Sequence, residues 1–230
     1  MDEQDEIRRL SLSLNIPQSL ASLIQAPTCL ECGDTGWQII IRGNLEWARP
    51  CRCRSVQREN RLMRGIDERF REATFENFTP LDQKQEKVVT RMKENPFGSY
   101  FLSGTYAIGK THLMIAQYRQ VAAKIPAEIR TSRELALEFR TAEMVEHFVS
   151  PVQAKADLAQ RFHFFWDDVD KLKSTAFREE VIFHLVDRLY RRKLGITITS
   201  NLSLAQLAEH EVLEPAVIRR IDDMCEVFEL

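Results

Sequence analysis

Residues Gly104-Thr105-Tyr106-Ala107-Ile108-Gly109-Lys110-Thr111 satisfy the pattern GxxxxGK[ST] at every fixed position. Such a loop binds phosphate: its glycines let backbone N–H groups turn around phosphate oxygens, and a helix opening behind it adds positive potential. Lys110 is placed to reach the β- and γ-phosphates of ATP, and Thr111 to hold Mg²⁺. Tyr106, Ala107 and Ile108 stand where smaller residues are common, which predicts a stiff loop. Further on, Phe162-His-Phe-Phe-Trp-Asp167-Asp168 is an apolar run ending in two carboxylates, the form of a Walker B element. Asp167 suits Mg²⁺ bound through water, and Asp168 stands where a general base for the attacking water belongs. An aspartate base is one methylene shorter than glutamate, which predicts slow, switch-like hydrolysis. Ile196-Thr-Ile-Thr199-Ser200-Asn201 ends in polar side chains. Asn201 either positions the attacking water or opens a turn or helix cap after a strand.

A second chemistry lies upstream. Cys29 and Cys32 form a CxxC pair, and Cys51 and Cys53 a CxC pair. Trp37 to Ile41 and Leu45 to Trp47 read as hairpin strands around the turn Arg42-Gly43-Asn44. Two close pairs joined by a hairpin can place four thiolates tetrahedrally around Zn²⁺. The alternative is a set of free or redox-active thiols. Structural zinc is favoured because so short a segment has little core of its own. Cys225 stands apart and reads as a buried apolar residue, and His163 and His184 as core residues rather than ligands. His112 is expected to pack within its helix.

The elements that must position these residues follow from the pattern. Residues 1–25 read as an amphipathic helix with Ile7, Leu10, Leu14 and Ile16 on its apolar face, interrupted at Pro17. Val56 to Glu72 reads as a basic helix. From about Phe75 strands and helices alternate: strand Tyr100–Leu102, helix Thr111–Lys124, strand Leu135–Arg140, and a helix from Ala142. Strand Phe162–Trp166, helix Ala176–Arg192 and strand Ile196–Thr199 complete the series. Alternation of this kind predicts an α/β fold, a parallel sheet covered by helices on both faces.

Composition sets the outer limits. Lys+Arg 32 against Asp+Glu 34 leaves a net charge of -2, so the chain is no polycation. The balance hides polarity: residues 42–72 hold nine Arg against five acidic residues, and the last thirty hold two Arg against seven. Hydrophobic residues at 44% suffice for a real core. The acidic start lacks the features of a signal peptide, and no apolar run approaches the ~20 residues of a bilayer span. A soluble, cytoplasmic protein with no membrane association is expected.

Cys32-Gly-Asp-Thr-Gly-Trp37, Phe75-Glu-Asn-Phe78, Gly109-Lys-Thr-His-Leu113, Asp167-Asp168 and Thr199-Ser-Asn201 together resemble the DnaC/DnaI family over Cys29 to Arg220. These are AAA+ ATPases that load the replicative helicase in bacteria and phages. The resemblance implies residues 1–73 as a helicase-binding module of helix, zinc site and basic linker, and 74–230 as the AAA+ ATPase domain. It implies a DnaB-type helicase hexamer and single-stranded DNA as partners, and self-assembly into an arc, ring or spiral. It matches Arg220 to the arginine finger that acts on a neighbour's ATP, with Arg219 one position away and two solvated arginines as the alternative. The chain stops at Glu229-Leu230, before the family's usual sensor-2 arginine, so no C-terminal lid is expected and ATP should bind weakly to the monomer. The basic Val56–Glu72 segment and Lys171-Leu-Lys173 are candidate DNA contacts or simply solvated faces. Two other readings stay open: an IstB-type transposition helper ATPase on duplex DNA, and a nucleotide-gated helicase adaptor with negligible hydrolysis.

Overall fold

The computed structural model of the chain describes residues 29–33, 35–42, 45–53, 62–138, 162–172 and 175–230. The expected N-terminal helix, the tip of the hairpin turn, the start of the basic helix, the helix from Ala142 and Lys173 lie outside these. The chain forms two compact units, Met1–Arg61 and Leu62–Leu230. Among the described residues no helix is long and apolar enough to cross a membrane.

In the first unit, strands β1 (Trp37–Arg42) and β2 (Leu45–Pro50) pair antiparallel, with Trp37 opposite Pro50 and Ile40 opposite Trp47. Gly33, at φ 55, turns the chain so that its N–H bonds the Cys29 carbonyl at 2.9 Å. The Cys51 N–H bonds Gly36 O at 2.9 Å and closes the hairpin base. Both cysteine pairs therefore meet at one end of the hairpin.

The second unit is a five-stranded sheet with helices on both faces. Its elements run α1 (Gln83–Glu94), β3 (Tyr100–Ser103), α2 (Lys110–Ala122), β4 (Ala127–Thr131), α3 (Ser132–Glu138) and β5 (His163–Asp167). Then come α4 (Ala176–Arg191), β6 (Gly195–Ser200), α5 (Leu204–Glu209), α6 (Pro215–Met224) and β7 (Glu226–Glu229). The order is β4-β5-β6-β3-β7 with every pair parallel. Strands covered on both faces lose the polar alternation of half-exposed ones. Accordingly Tyr100, Phe101, Leu102, Phe164, Phe165 and Trp166 are all fully buried. Side-chain direction still alternates: Tyr100 and Leu102 pack with α1 and α2, while Phe101, Phe164 and Trp166 pack with α4 and α6. Phe165 faces α2, its ring edge-on to Tyr118 at 5.3 Å.

Three expectations need correction. Leu135 lies in helix α3, not in a strand. Thr131 and Glu134 exchange side-chain and backbone hydrogen bonds as a capping box, and Leu135, Ala136 and Leu137 are strong helix formers. The strand is upstream, at β4. The basic helix does not run through to Glu72: Met63–Gly65 and Glu68–Phe70 are separate 3-10 turns, with Ile66 and Asp67 at ψ 137 and 136 between them. Apolar demand overrides helical continuity there, because Met63, Ile66 and Ala73 bury against Met114, Ile115 and Val121 of α2. Residues 62–73 thus pack with the sheet. His184 is exposed beside Glu180, not core. Cys225 is buried, which pushes its thiol up to about 12.

His163 is fully buried within a polar chain. Its Nε2–H donates to Thr197 Oγ1 (2.9 Å), whose hydroxyl donates to Gln117 Oε1 (2.8 Å), while Gln117 Nε2 donates to the Pro96 and Gly98 carbonyls at 2.9 Å. Burial disfavours the imidazolium and lowers the His163 pKa from 6.5 to about 3. The unfolded chain takes up this proton near pH 6.5 and the folded one only near 3. The stabilisation is therefore complete above 6.5 and is lost progressively as pH falls toward 3. Urea denaturation across that window should show the decline, and a His163→Gln variant should show a shallower one.

Candidate functional site

Strand order decides what meets at the carboxyl edge of the sheet. β6 lies between β3 and β5, so the loop after β3, the carboxylates ending β5 and Asn201 after β6 become neighbours. Ser103 pairs with Ser200, and Trp166 with Ile198. Crevices outside the carboxyl ends of parallel strands are where such sheets bind ligands. A cleft of about 1110 Å³ opens there, lined by Tyr106, Ala107, Gly109, Lys110, Thr111, Asp167, Asp168 and Asn201. Leu62, Ile66, Phe70, Ile115 and Tyr118 add an apolar wall, and Glu128 and Arg130 a charged one.

The loop is built by backbone constraint. Gly104 has φ 141, and a Cβ there would lie 2.6 Å from the Leu230 carbonyl oxygen. Gly109 has φ 98, and a Cβ there would lie 2.4 Å from the Phe78 ring. Ala107 takes φ 62 without a glycine's freedom. Gln85, buried on α1, donates to the Ile108 carbonyl at 3.3 Å and steadies the loop from behind. His112 makes its contacts outside its own helix: its Nε2 bonds Thr74 O at 2.8 Å and its ring packs on Phe78.

Inside the cleft the expected residues come together. Lys110 Nζ donates to the carbonyls of Gly104 (2.8 Å) and Thr105 (2.7 Å) and to Asn201 Oδ1 (3.0 Å). Thr111 Oγ1 donates to Asp167 Oδ1 at 3.1 Å, so the two expected Mg²⁺ residues are in contact. Thr199 Oγ1 also donates to Asp167 and accepts the Asp168 N–H at 2.9 Å. Asp168 itself is left-handed, φ 55 and ψ 53, a strained turn at the strand end. Burial raises Asp167 to about 6, with Asp168 adding to the rise and Thr199 and Thr111 opposing it. Burial, then Asp170, also raises Asp168, while burial lowers Lys110 against the pull of the three aspartates. An ensemble so desolvated is suited to a polyanion with a divalent cation, which satisfies Lys110 and the carboxylates at once.

Arg220 does not line the cleft. Its guanidinium pairs with Asp187 at 2.8 Å, bonds Ala216 O at 2.8 Å and lies 4.6 Å from the Phe183 ring centroid. Arg219 is exposed. In the other unit the four sulfurs of Cys29, Cys32, Cys51 and Cys53 all lie within 4.8 Å of one another. Cys29–Cys51 is 3.7 Å and Cys32–Cys53 3.3 Å, near the ~3.8 Å edge of a tetrahedron with ~2.3 Å metal–sulfur bonds. Burial opposes the Cys32 thiolate, but Cys53 and the Gly36 backbone outweigh it and lower the thiol to about 7. The donor set fits a soft tetrahedral ion.

Sequence reasoning missed Gln85, Asp170 and the wall at Leu62–Phe70. Their roles depend on contacts across the fold, and no local pattern marks them. No protein-family model and no curated protein sequence matches the chain. Solved structures do. The chain aligns with a DnaI structure (TM-score 0.59, 18% identity, 72% of this chain and 94% of that one) and with the DnaC helicase loader (0.58, 19%, 71% and 99%). It also aligns with AMPPCP-bound DnaA from Aquifex aeolicus (0.56, 18%, 72% of this chain), of which it spans 51%, about half that chain. The likeness is one of fold. What is shared is an α/β core, a parallel sheet flanked by helices.

The loop geometry gives a direct check. Gly109→Ala combines a forbidden φ with a clash on Phe78 and should destabilise the chain by about 1–3 kcal/mol in urea unfolding. Measured against a Phe78→Ala background, which lacks the clash and the ring's own packing, Gly109→Ala should cost less but still destabilise, because the φ strain remains.

Proposed function

We propose that this chain is an ATP-dependent loader of a DnaB-type replicative helicase onto single-stranded DNA, acting in replication initiation or restart. The observation that carries the reading is the meeting of Lys110, Thr111, Asp167 and Asn201 at one sheet edge, in a fold shared with DnaC and DnaI over nearly their whole length. Mg²⁺ bound to ATP would be held by Thr111 and Asp167 and would supply charge neutralisation at the β- and γ-phosphates. The loop N–H groups and Lys110 bind the phosphates, and the apolar wall of Leu62, Ile66 and Phe70 suits a purine base. Asp168, its pKa raised by burial, accepts the proton of the attacking water. Asn201 positions that water, and hydrolysis is slow.

Self-assembly into an arc, ring or spiral would complete the site with an arginine from a neighbouring copy. Pairing of Arg220 with Asp187 in its own chain supports Arg219 as the residue that reaches across, over the Arg220 that the family resemblance suggests. The cysteine cluster would hold structural Zn²⁺ in a module that, with the N-terminal residues, grips the helicase. Exposed Trp37, Ile39 and Trp47 on its hairpin support a protein-binding role for it.

Size-exclusion with light scattering on the chain mixed with its host's replicative helicase, with and without ATP and a single-stranded oligonucleotide, tests the reading. A discrete complex larger than the helicase hexamer is expected, formed by the parent chain and lost or altered in its ATP dependence in Lys110→Ala. No complex under any condition, together with ATP-dependent assembly on duplex DNA, would identify a transposition-helper activity instead. For the metal, one zinc per chain is expected by atomic absorption. Cys32→Ser with Cys53→Ser should abolish it and helicase binding, while ATP affinity stays within about twofold, because the two sites lie in separate compact units.

A further inference from the structure

Asp170 is a carboxylate that none of these roles uses. It lies on the 3-10 turn Val169–Lys171 just past Asp168, and its side chain is only 3% exposed. A carboxylate so enclosed must find its hydrogen-bond donors within the protein. It accepts the Asn201 backbone N–H at 2.9 Å, Asn201 Nδ2 at 2.9 and 3.1 Å, and Lys171 Nζ at 2.7 Å. Lys171 in turn donates to the Tyr106 hydroxyl at 2.6 Å. One buried group thus ties the end of β6 to the exposed tip of the phosphate loop.

The chemistry of these partners dictates how the Asn201 amide faces. An ionised carboxylate only accepts, so Asp170 must meet the amide nitrogen. An ammonium only donates, so Lys110 must meet the amide oxygen, 3.0 Å away. With Asp170 holding both the backbone and the side chain of Asn201, the amide has no second orientation that satisfies both neighbours.

We infer that Asp170 is a positioning residue that presents the amide oxygen of Asn201, rather than its nitrogen, to the phosphate site. The inference rests on the Mg-ATP reading of that site. When Lys110 turns from the loop carbonyls to the phosphates, Asn201 Oδ1 is left as a free acceptor facing them. An acceptor there takes a hydrogen bond from the attacking water and aims its lone pair at the γ-phosphorus. In that step the water oxygen bonds phosphorus and the bond to the β–γ bridging oxygen breaks. The water proton passes to Asp168, and ADP and phosphate leave. The opposite orientation would donate to a γ-phosphate oxygen and hold the phosphate instead of the water.

The test compares the parent chain, Asp170→Asn, Asn201→Ala and the double variant by equilibrium binding of a fluorescent ATP analogue and by single-turnover hydrolysis with Mg²⁺. Side-chain amide exchange of Asn201 is followed by NMR in parallel. Asp170→Asn should keep ATP affinity within about threefold while hydrolysis falls about tenfold or more, and the double variant should be no slower than Asn201→Ala. Additive losses, or hydrolysis at the parent rate in Asp170→Asn, would overturn the positioning role. Should Asp170→Asn fail to fold, the Asn201 amide protons of the parent chain decide: protection from solvent upholds the clamp, and exchange at the free-amide rate overturns it. A parent chain that binds no ATP overturns the nucleotide reading and the positioning role with it. ATP hydrolysis alongside a freely exchanging Asn201 amide overturns the clamp alone.

Discussion

The insertion of β6 between β3 and β5 is the pairing on which the site depends. Leu102 opposite Thr199 sets the register, and from it Thr199 reaches Asp167 while Asn201 reaches Lys110. Were β5 beside β3, the carboxylates would still lie near the loop, but no side chain from a third strand would stand between ammonium and carboxylate. The register is well specified because every residue of β6 after Gly195 is buried, so a one-residue slip would invert two packed faces. Stability of the sheet and geometry of the site are the same constraint.

The cleft gathers charge where solvent is scarce. Asp167 is nearly buried with a pKa raised to about 6, Asp168 is raised and Lys110 lowered. Left to themselves these groups hold one another through Thr111, Thr199 and Asn201, and Lys110 folds onto the loop carbonyls. Those are the contacts a phosphate and a divalent cation would take over. Strain sits in the same place: Ala107 and Asp168, which both line the cleft, hold left-handed backbone. Strain of this kind persists only where packing enforces it, and Gln85 and Phe78 supply that packing behind the loop.

The first unit stands on different physics. Its described hairpin exposes Trp37, Ile39 and Trp47, so apolar burial contributes little. What draws its ends together is the cysteine cluster, with Glu31 accepting from Gln38 at 2.6 Å and Gln38 accepting from Arg49 at 2.8 Å around it. In this small segment with exposed aromatic side chains, the tight sulfur cluster is what joins the two ends of the hairpin.

The residues that gather in the cleft and in the sulfur cluster were legible by type and spacing because the patterns that mark them are local. A phosphate loop needs glycine at Gly104 and Gly109 whatever surrounds it, and four cysteines in two close pairs announce a tetrahedral donor set. The buried strands at Tyr100 and Phe164 were legible as well, since a sheet covered on both faces favours apolar runs, and the strand at Ile196 was legible from its β-branched residues. Other features were decided only in three dimensions. β7 is an acidic tetrapeptide, Glu226 to Glu229, whose strand state comes from pairing with β3 and from Phe228 stacking on Tyr100. Leu135 lies in a helix and not a strand because Thr131 and Glu134 cap that helix just ahead of it. Residues 62–73 leave helical geometry to bury Met63 and Ile66 on α2. The family resemblance matches Arg220 to a residue that acts on a neighbour, and only the fold shows that Asp187, distant in sequence, pairs with it. Local sequence determined what could bind phosphate and metal. Long-range packing decided which groups face them, because burial, register and partner charges are properties of the assembled chain.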